Sequence, residues 1–178
     1  LDEGEGLVFR QRIEGWQGRP VGSGMRIAVE NKAIRAEGDW RYTLTPLDRL
    51  RAFAERYDLG LVLDTAHAGT AGEDLLQARR LFDTRLVNVH LSDLGGRVPL
   101  ATLPLVHRFF GEHRLPGTGE LALPALLRDL GSSRYDGLIT LEVNPWSVRA
   151  WWPPAVRRTL ARACTWMKKM AHAGYSSP

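Results

Sequence analysis

Four short apolar runs punctuate the chain, at residues 26–30, 59–64, 86–90 and 137–143. They are rich in β-branched residues and almost unbroken in hydrophobicity. That is the pattern of strands buried on both faces of a parallel sheet. Between them the apolar positions recur at helical spacing. Thr45-Pro46 predicts a helix start, a cap followed by proline at the first helical position, and Leu47, Leu50, Ala54 and Tyr57 continue it. A second helix is predicted over residues 73–82. A third, over residues 121–130, carries Leu123, Leu126, Leu127 and Leu130 on one face and stops at Gly131. Pro153-Pro154 opens a longer fourth helix whose stripe of Val156, Leu160, Ala163, Met167 and Met170 reads as core packing.

The order β-α-β-α-β-α-β-α predicts an α/β fold with parallel strands and right-handed crossovers. One domain over residues 1–178 is expected, with residues 1–24 an irregular lead-in (a helix over 7–16 at most) and residues 174–178 a frayed tail. At 44% apolar and 25% charged, the composition is that of a soluble globular chain. No apolar stretch approaches the ~18 residues of a membrane span. Leu1-Asp2-Glu3-Gly4-Glu5-Gly6 is acidic and Gly-rich, unlike a signal peptide. The lone Cys164 excludes an internal disulfide, suits a reducing cytoplasm, and reads as a small buried helix residue. A net charge of +4 hints at an anionic partner, but the basic residues are dispersed. Their densest cluster, Arg157, Arg158, Arg162, Lys168 and Lys169, reads as the solvated face of the last helix. The chain opens on Leu1, and the expectation is a natural beginning further upstream.

Each predicted strand ends in a metal-ligand type of residue: Glu30, Asp64, His90 and Glu142. In barrels and open α/β sheets the C-terminal strand ends converge, so residues far apart in sequence meet at one site. Three carboxylates and an imidazole suit one divalent ion such as Mn²⁺, Mg²⁺, Co²⁺ or Zn²⁺. Without a cation the carboxylates would repel one another. His67, three residues past Asp64 on the following loop, reads either as touching substrate or a second metal, or as an ordinary surface histidine. Asp93 reads equally as orienting His90 or as capping the next segment. Gly117-Thr118-Gly119 ahead of a helix is either a plain turn and cap or a loop admitting an anion. Arg97 and Arg114 are candidates for a substrate hydroxyl or phosphate, against the alternative of ordinary surface arginines.

At these residues the sequence resembles the xylose-isomerase-like superfamily, which includes sugar phosphate isomerases and epimerases, ketose 3-epimerases and abasic-site nucleases. The matching motifs are Ala28-Val29-Glu30-Asn31, Leu63-Asp64-Thr65-Ala66-His67-Ala68, Val87-Asn88-Val89-His90-Leu91-Ser92-Asp93, residues 113–121 and residues 135–143. The resemblance implies a TIM-type (β/α) barrel of which only the last four βα units are present, a C-terminal half. A whole barrel takes about 250 residues. It implies that Glu30, Asp64, His90 and Glu142 hold one divalent metal, and that His67 and His113 contact substrate. The implied activity is isomerisation or epimerisation of a sugar or sugar phosphate, with Glu30 and Glu142 moving a proton next to a carbonyl through an enediolate. Self-association, or pairing with a missing N-terminal half-barrel, is expected of an unclosed sheet. The alternatives are a relative of the abasic-site nucleases and an inactive truncated fragment. The nuclease pattern calls for an Asp-x-His pair where this chain reads Gly111-Glu112-His113. That departure and the scattered charge argue against nucleic acid as the partner.

Overall fold

A computed structural model of the chain describes residues 27–34, 44, 46–95 and 111–173. Four strands form one parallel sheet in chain order: β1 (Ala28–Glu30), β2 (Gly60–Asp64), β3 (Leu86–Leu91) and β4 (Leu138–Leu141). The helices between and after them are α1 (Leu47–Arg56), α2 (Thr65–Thr70), α3 (Leu75–Phe82), α4 (Leu123–Ser132) and α5 (Pro153–His172). A 3₁₀ turn, Asp83–Arg85, feeds β3. The parallel α/β order is the one the hydrophobic pattern predicts. No helix among the described residues is long and apolar enough to cross a membrane.

Central β2 is buried along its whole length, as a strand covered on both faces must be. Over it pack Leu47, Leu50 and Ala54 of α1, Ala78 and Phe82 of α3, and the four leucines of α4. Each fully buried leucine contributes about 1.5–3 kcal/mol relative to exposure. The outer strand β4 lacks the two-sided burial that its apolar run suggests, and is the open edge expected of an unclosed sheet. Leu138 is 69% exposed and Ile139 38%, because no further strand or helix among the described residues covers that edge.

Several local expectations need correction. Pro46 occupies the cap of α1 rather than its first turn, and it offers no side-chain hydrogen bond there; Thr45 lies outside the described residues. The second predicted helix begins two residues late, at Leu75, because the side chain of Asp74 accepts from the Gln77 N–H and caps it. The sequence predicts a loop after Asp64, but these residues form α2, because the Asp64 side chain accepts from the His67 N–H and nucleates a turn. Gly131 does not stop its helix but sits inside α4. A Cβ there would lie 2.4 Å from the Ala171 carbonyl oxygen of α5, so the glycine serves close helix packing. The α5 stripe faces the core, although only Ala155 and Ala163 are fully buried on that helix. Cys164 is exposed rather than buried. The expected lead-in over 1–24, the helix over 7–16 and the tail over 174–178 lie outside the described residues.

Candidate metal centre

The parallel register brings the four strand ends to one rim. Asp64 ends β2 level with His90 on β3, Glu30 ends β1, and Glu142 follows β4 by one residue. The Glu142 N–H donates to the Leu91 carbonyl, extending the ladder just far enough to hold it there. One ligand atom from each of Glu30, Asp64, His90 and Glu142 lies within 4.8 Å of the others. His90 Nδ1 is 2.7 Å from Glu142 Oε2 and 3.4 Å from Glu30 Oε1.

The side chains are held by their neighbours. Asn31 clamps the tops of β1 and β2: its Oδ1 accepts from the Asp64 N–H at 2.7 Å, and its Nδ2 donates to the Asp64 carbonyl at 3.1 Å. Asp64 is fully buried. Its Oδ1 accepts from the His67 N–H at 2.7 Å, which leaves Oδ2 buried, aimed into the cluster and without a hydrogen-bond partner. A buried carboxylate oxygen left unpaired costs more than the ~1–3 kcal/mol of a neutral polar group. A cation bound among these ligands removes that cost, so the donor set and its orphaned oxygen fit a divalent ion.

The electrostatics point the same way. Burial pushes the Asp64 carboxyl above its ordinary range, only partly offset by attraction to His67 and His113. Burial also acts on Glu30, but hydrogen bonds and charge attraction from His67 and His90 outweigh it and hold its carboxyl low. Burial alone would depress His67. Its contacts with Glu30 and Asp64 reverse that and raise it.

His67, on the first turns of α2, places Nδ1 3.3 Å from Glu30 Oε1 and 3.0 Å from the Asn31 carbonyl. The His113 ring meets the His67 ring edge-on at 5.2 Å, and its Nδ1 stands 3.9 Å from Asp64 Oδ2. Asp64, His67 and His113 thus make a second group whose ligand atoms lie within 4.8 Å of one another, sharing Asp64 with the first. Arg114 does not join the cluster: its guanidinium donates to the Gly95 carbonyl. Arg97 lies outside the described residues. Asp93 makes no hydrogen bond to His90; it gathers backbone N–H groups of the segment up to Leu121.

Three supporting residues carry no role in the sequence pattern. Thr65 Oγ1 donates to the Ser92 carbonyl at 2.6 Å, and the Ser92 hydroxyl faces His113 Nδ1 at 3.2 Å. The Asn144 N–H donates to the His113 carbonyl at 2.7 Å, and its Nδ2 to the Glu112 carbonyl at 2.8 Å. The one signal for them is position: each is a small polar residue one or two places past a strand-end ligand. Beyond Asn144 the loop exposes Trp146, Trp151 and Trp152, the first two meeting edge-on at 5.1 Å.

A parallel β/α sheet with acidic and imidazole side chains gathered at its C-terminal strand ends is the arrangement on which (β/α) barrels carry their sites. The family model of the xylose isomerase-like TIM barrel matches residues 21–170, and the chain belongs to that family. An uncharacterized protein of Mycobacterium leprae is 35% identical over 88 residues, 49% of this chain and 28% of that protein. The crystal structure of D-psicose 3-epimerase with D-tagatose from Clostridium cellulolyticum H10 superposes with a TM-score of 0.64 at 13% identity, over 92% of this chain and 54% of that one. A D-tagatose 3-epimerase-like protein aligns at 17% identity with a TM-score of 0.49, over 93% of this chain and 68% of that one. The chain therefore spans about half the length of the epimerase whose fold it shares.

Proposed function

We propose that this chain carries the metal-binding wall of a divalent-metal-dependent sugar isomerase or epimerase. The observation that carries the reading is the convergence of Glu30, Asp64, His90 and Glu142 at one rim of the sheet, with the buried Asp64 Oδ2 unpaired. The fold shared with a D-psicose 3-epimerase supports a sugar as substrate.

Glu30, Asp64, His90 and Glu142 would hold the ion. A divalent ion there supplies Lewis-acid stabilisation of negative charge building on the substrate oxygens. The protein's own groups then divide the remaining work. Asp64, buried and capping α2, is fixed as a ligand and has no freedom to shuttle a proton. Glu30 and Glu142 are the more exposed carboxylates, at 34% and 45%, and come from opposite edges of the sheet. One takes the proton next to the carbonyl and the other returns it from the opposite face of the substrate, which inverts that carbon. His67 and His113 offer ring N–H groups to substrate hydroxyls. A sugar or sugar phosphate is the substrate class.

The test is exchange of the substrate α-proton with solvent deuterium, followed by NMR over a panel of ketohexoses with Mn²⁺, Mg²⁺, Co²⁺ or Zn²⁺ present. Exchange is expected with at least one sugar, and Glu30→Gln and Glu142→Gln are each expected to lower it by at least about 10²-fold. Survival of exchange in either variant while metal stays bound would overturn the acid–base assignment. Exchange absent for every sugar and metal, with the wild-type chain folded and loaded, would overturn the isomerase reading.

A further inference from the structure

Residues 114–121 fold around one carboxylate. Asp93, three positions past His90, is 1% exposed. Its Oδ1 accepts from the N–H groups of Leu94 and Leu121, each at 3.0 Å, and its Oδ2 from those of Gly117 and Gly119, each at 2.9 Å. A Cβ on Gly119 would lie 2.4 Å from Asp93 Oδ1, so the loop is wrapped as closely as a chain can be. Backbone N–H groups converging in a turn make a concave anion site. Here the anion is the protein's own, so Gly117-Thr118-Gly119 is neither an open anion loop nor a plain turn.

The same residue is tied to the metal centre through the backbone. Asp93 N–H donates to the Arg114 carbonyl and Arg114 N–H to the Asp93 carbonyl, both at 2.9 Å. The residue before Arg114 is His113, whose φ of +50° lies in the left-handed region. A non-glycine residue persists there only where its surroundings over-determine it. His113 is pinned on one side by this two-bond bridge and on the other by the Asn144 N–H on its carbonyl.

We propose that Asp93 is a positioning residue of the site: its carboxylate, filling the 117–121 loop in place of an external anion, holds His113 in its left-handed turn beside Asp64. The distances above carry this claim, which stands whether or not the chain acts on sugars. Asn at position 93 would keep one acceptor oxygen but turn an NH₂ group toward N–H groups that need an acceptor. The loop should then open and His113 swing away, while His67 and His90, held by β2, α2 and β3, stay in place.

The experiment compares the full 178-residue chain with Asp93→Asn at one fixed pH. It uses histidine ring NMR and the rate of modification by diethyl pyrocarbonate, site by site. In the variant the His113 ring signals should shift and its modification quicken about tenfold, the factor expected from losing one charge-assisted bond's worth of closure. His67 and His90 should be unchanged. A folded variant with His113 undisturbed overturns the proposal. Should Asp93→Asn lose the fold, Gly117→Ala carries the test. It keeps the carboxylate but strains a residue at φ +82°, where the added Cβ would meet the Trp166 ring at 3.2 Å. His113 should move selectively there too. If it does not, or if all three histidines move together, Asp93 holds only the fold and the proposal fails.

Discussion

Asp64 performs two tasks with two oxygens. Oδ1 caps α2 and Oδ2 faces the group of candidate metal ligands. Asp64→Asn retains one acceptor oxygen for the cap, whereas Asp64→Ala removes both. Calorimetric titration with Mn²⁺ should show both variants losing at least about tenfold in affinity, as loss of a carboxylate ligand implies. Urea unfolding of the metal-free chain should then separate them, with the alanine variant about 1 kcal/mol less stable for want of the cap. His67 gives the metal-free chain a pH dependence. Its pKa is raised above 6.5, so its stabilising contribution is complete below that value and is lost as pH rises through the higher folded value. The lowered Glu30 contributes above 4.5 and is flat across this window. Urea midpoints should therefore fall as pH rises above 6.5 in the wild type and fall less in His67→Gln. Metal stoichiometry is a further residue-scale test. One ion per chain is expected, and about two by elemental analysis would assign ligands to the second group, Asp64, His67 and His113.

Among the elements, α4 offers a test whose sign decides between two effects. At Gly131 helix propensity favours alanine by about 1 kcal/mol, but the Cβ would meet the Ala171 carbonyl oxygen at 2.4 Å. Gly131→Ala is expected to destabilise by about 1–3 kcal/mol, the cost of overpacking, read as a lower urea midpoint. A gain in stability would mean that α5 yields freely. This residue also shows why some of the fold is hidden in the sequence. A glycine at the end of an apolar period looks like a stop, and only the approach of a second helix tells otherwise. Likewise α2 is too short to show a period, and its cap is a residue that also reads as a strand-end ligand. The four strands are legible because a short, continuous β-branched run suits a buried strand far better than a helix. The four converging side chains follow from where those runs end. Of the polar supports, Asn31, Thr65, Ser92 and Asn144, only the position one or two places past a strand-end ligand is legible; their partners are not, since a hydrogen-bonding partner's identity depends on which loops come to lie side by side.

For the molecule as a whole, the decisive feature is the unequal covering of the sheet. Central β2 is sealed, while β4 leaves Leu138 and Ile139 in solvent at one edge. An outer strand with apolar side chains is a template for association. Sedimentation velocity should show the chain associating as its concentration rises, and Ile139→Lys, a charge on the edge, should weaken that association. A strictly monomeric wild-type chain across the accessible concentration range would show that the edge is protected by residues outside those described.

The three tryptophans beyond Glu142 give the chain a built-in optical probe. Trp146, Trp151 and Trp152 are about half exposed or more, while Trp166 packs against the core. These three should thus contribute red-shifted emission that acrylamide quenches readily even in the native state, alongside that of Trp16 and Trp40, which lie outside the described residues. Trp146 follows by two residues Asn144, which is bonded to the His113 and Glu112 carbonyls. Its quantum yield should consequently follow ligand arrival beside His113, so that an emission change present in the wild type and lost in Trp146→Phe screens sugars and ions before any turnover is assayed.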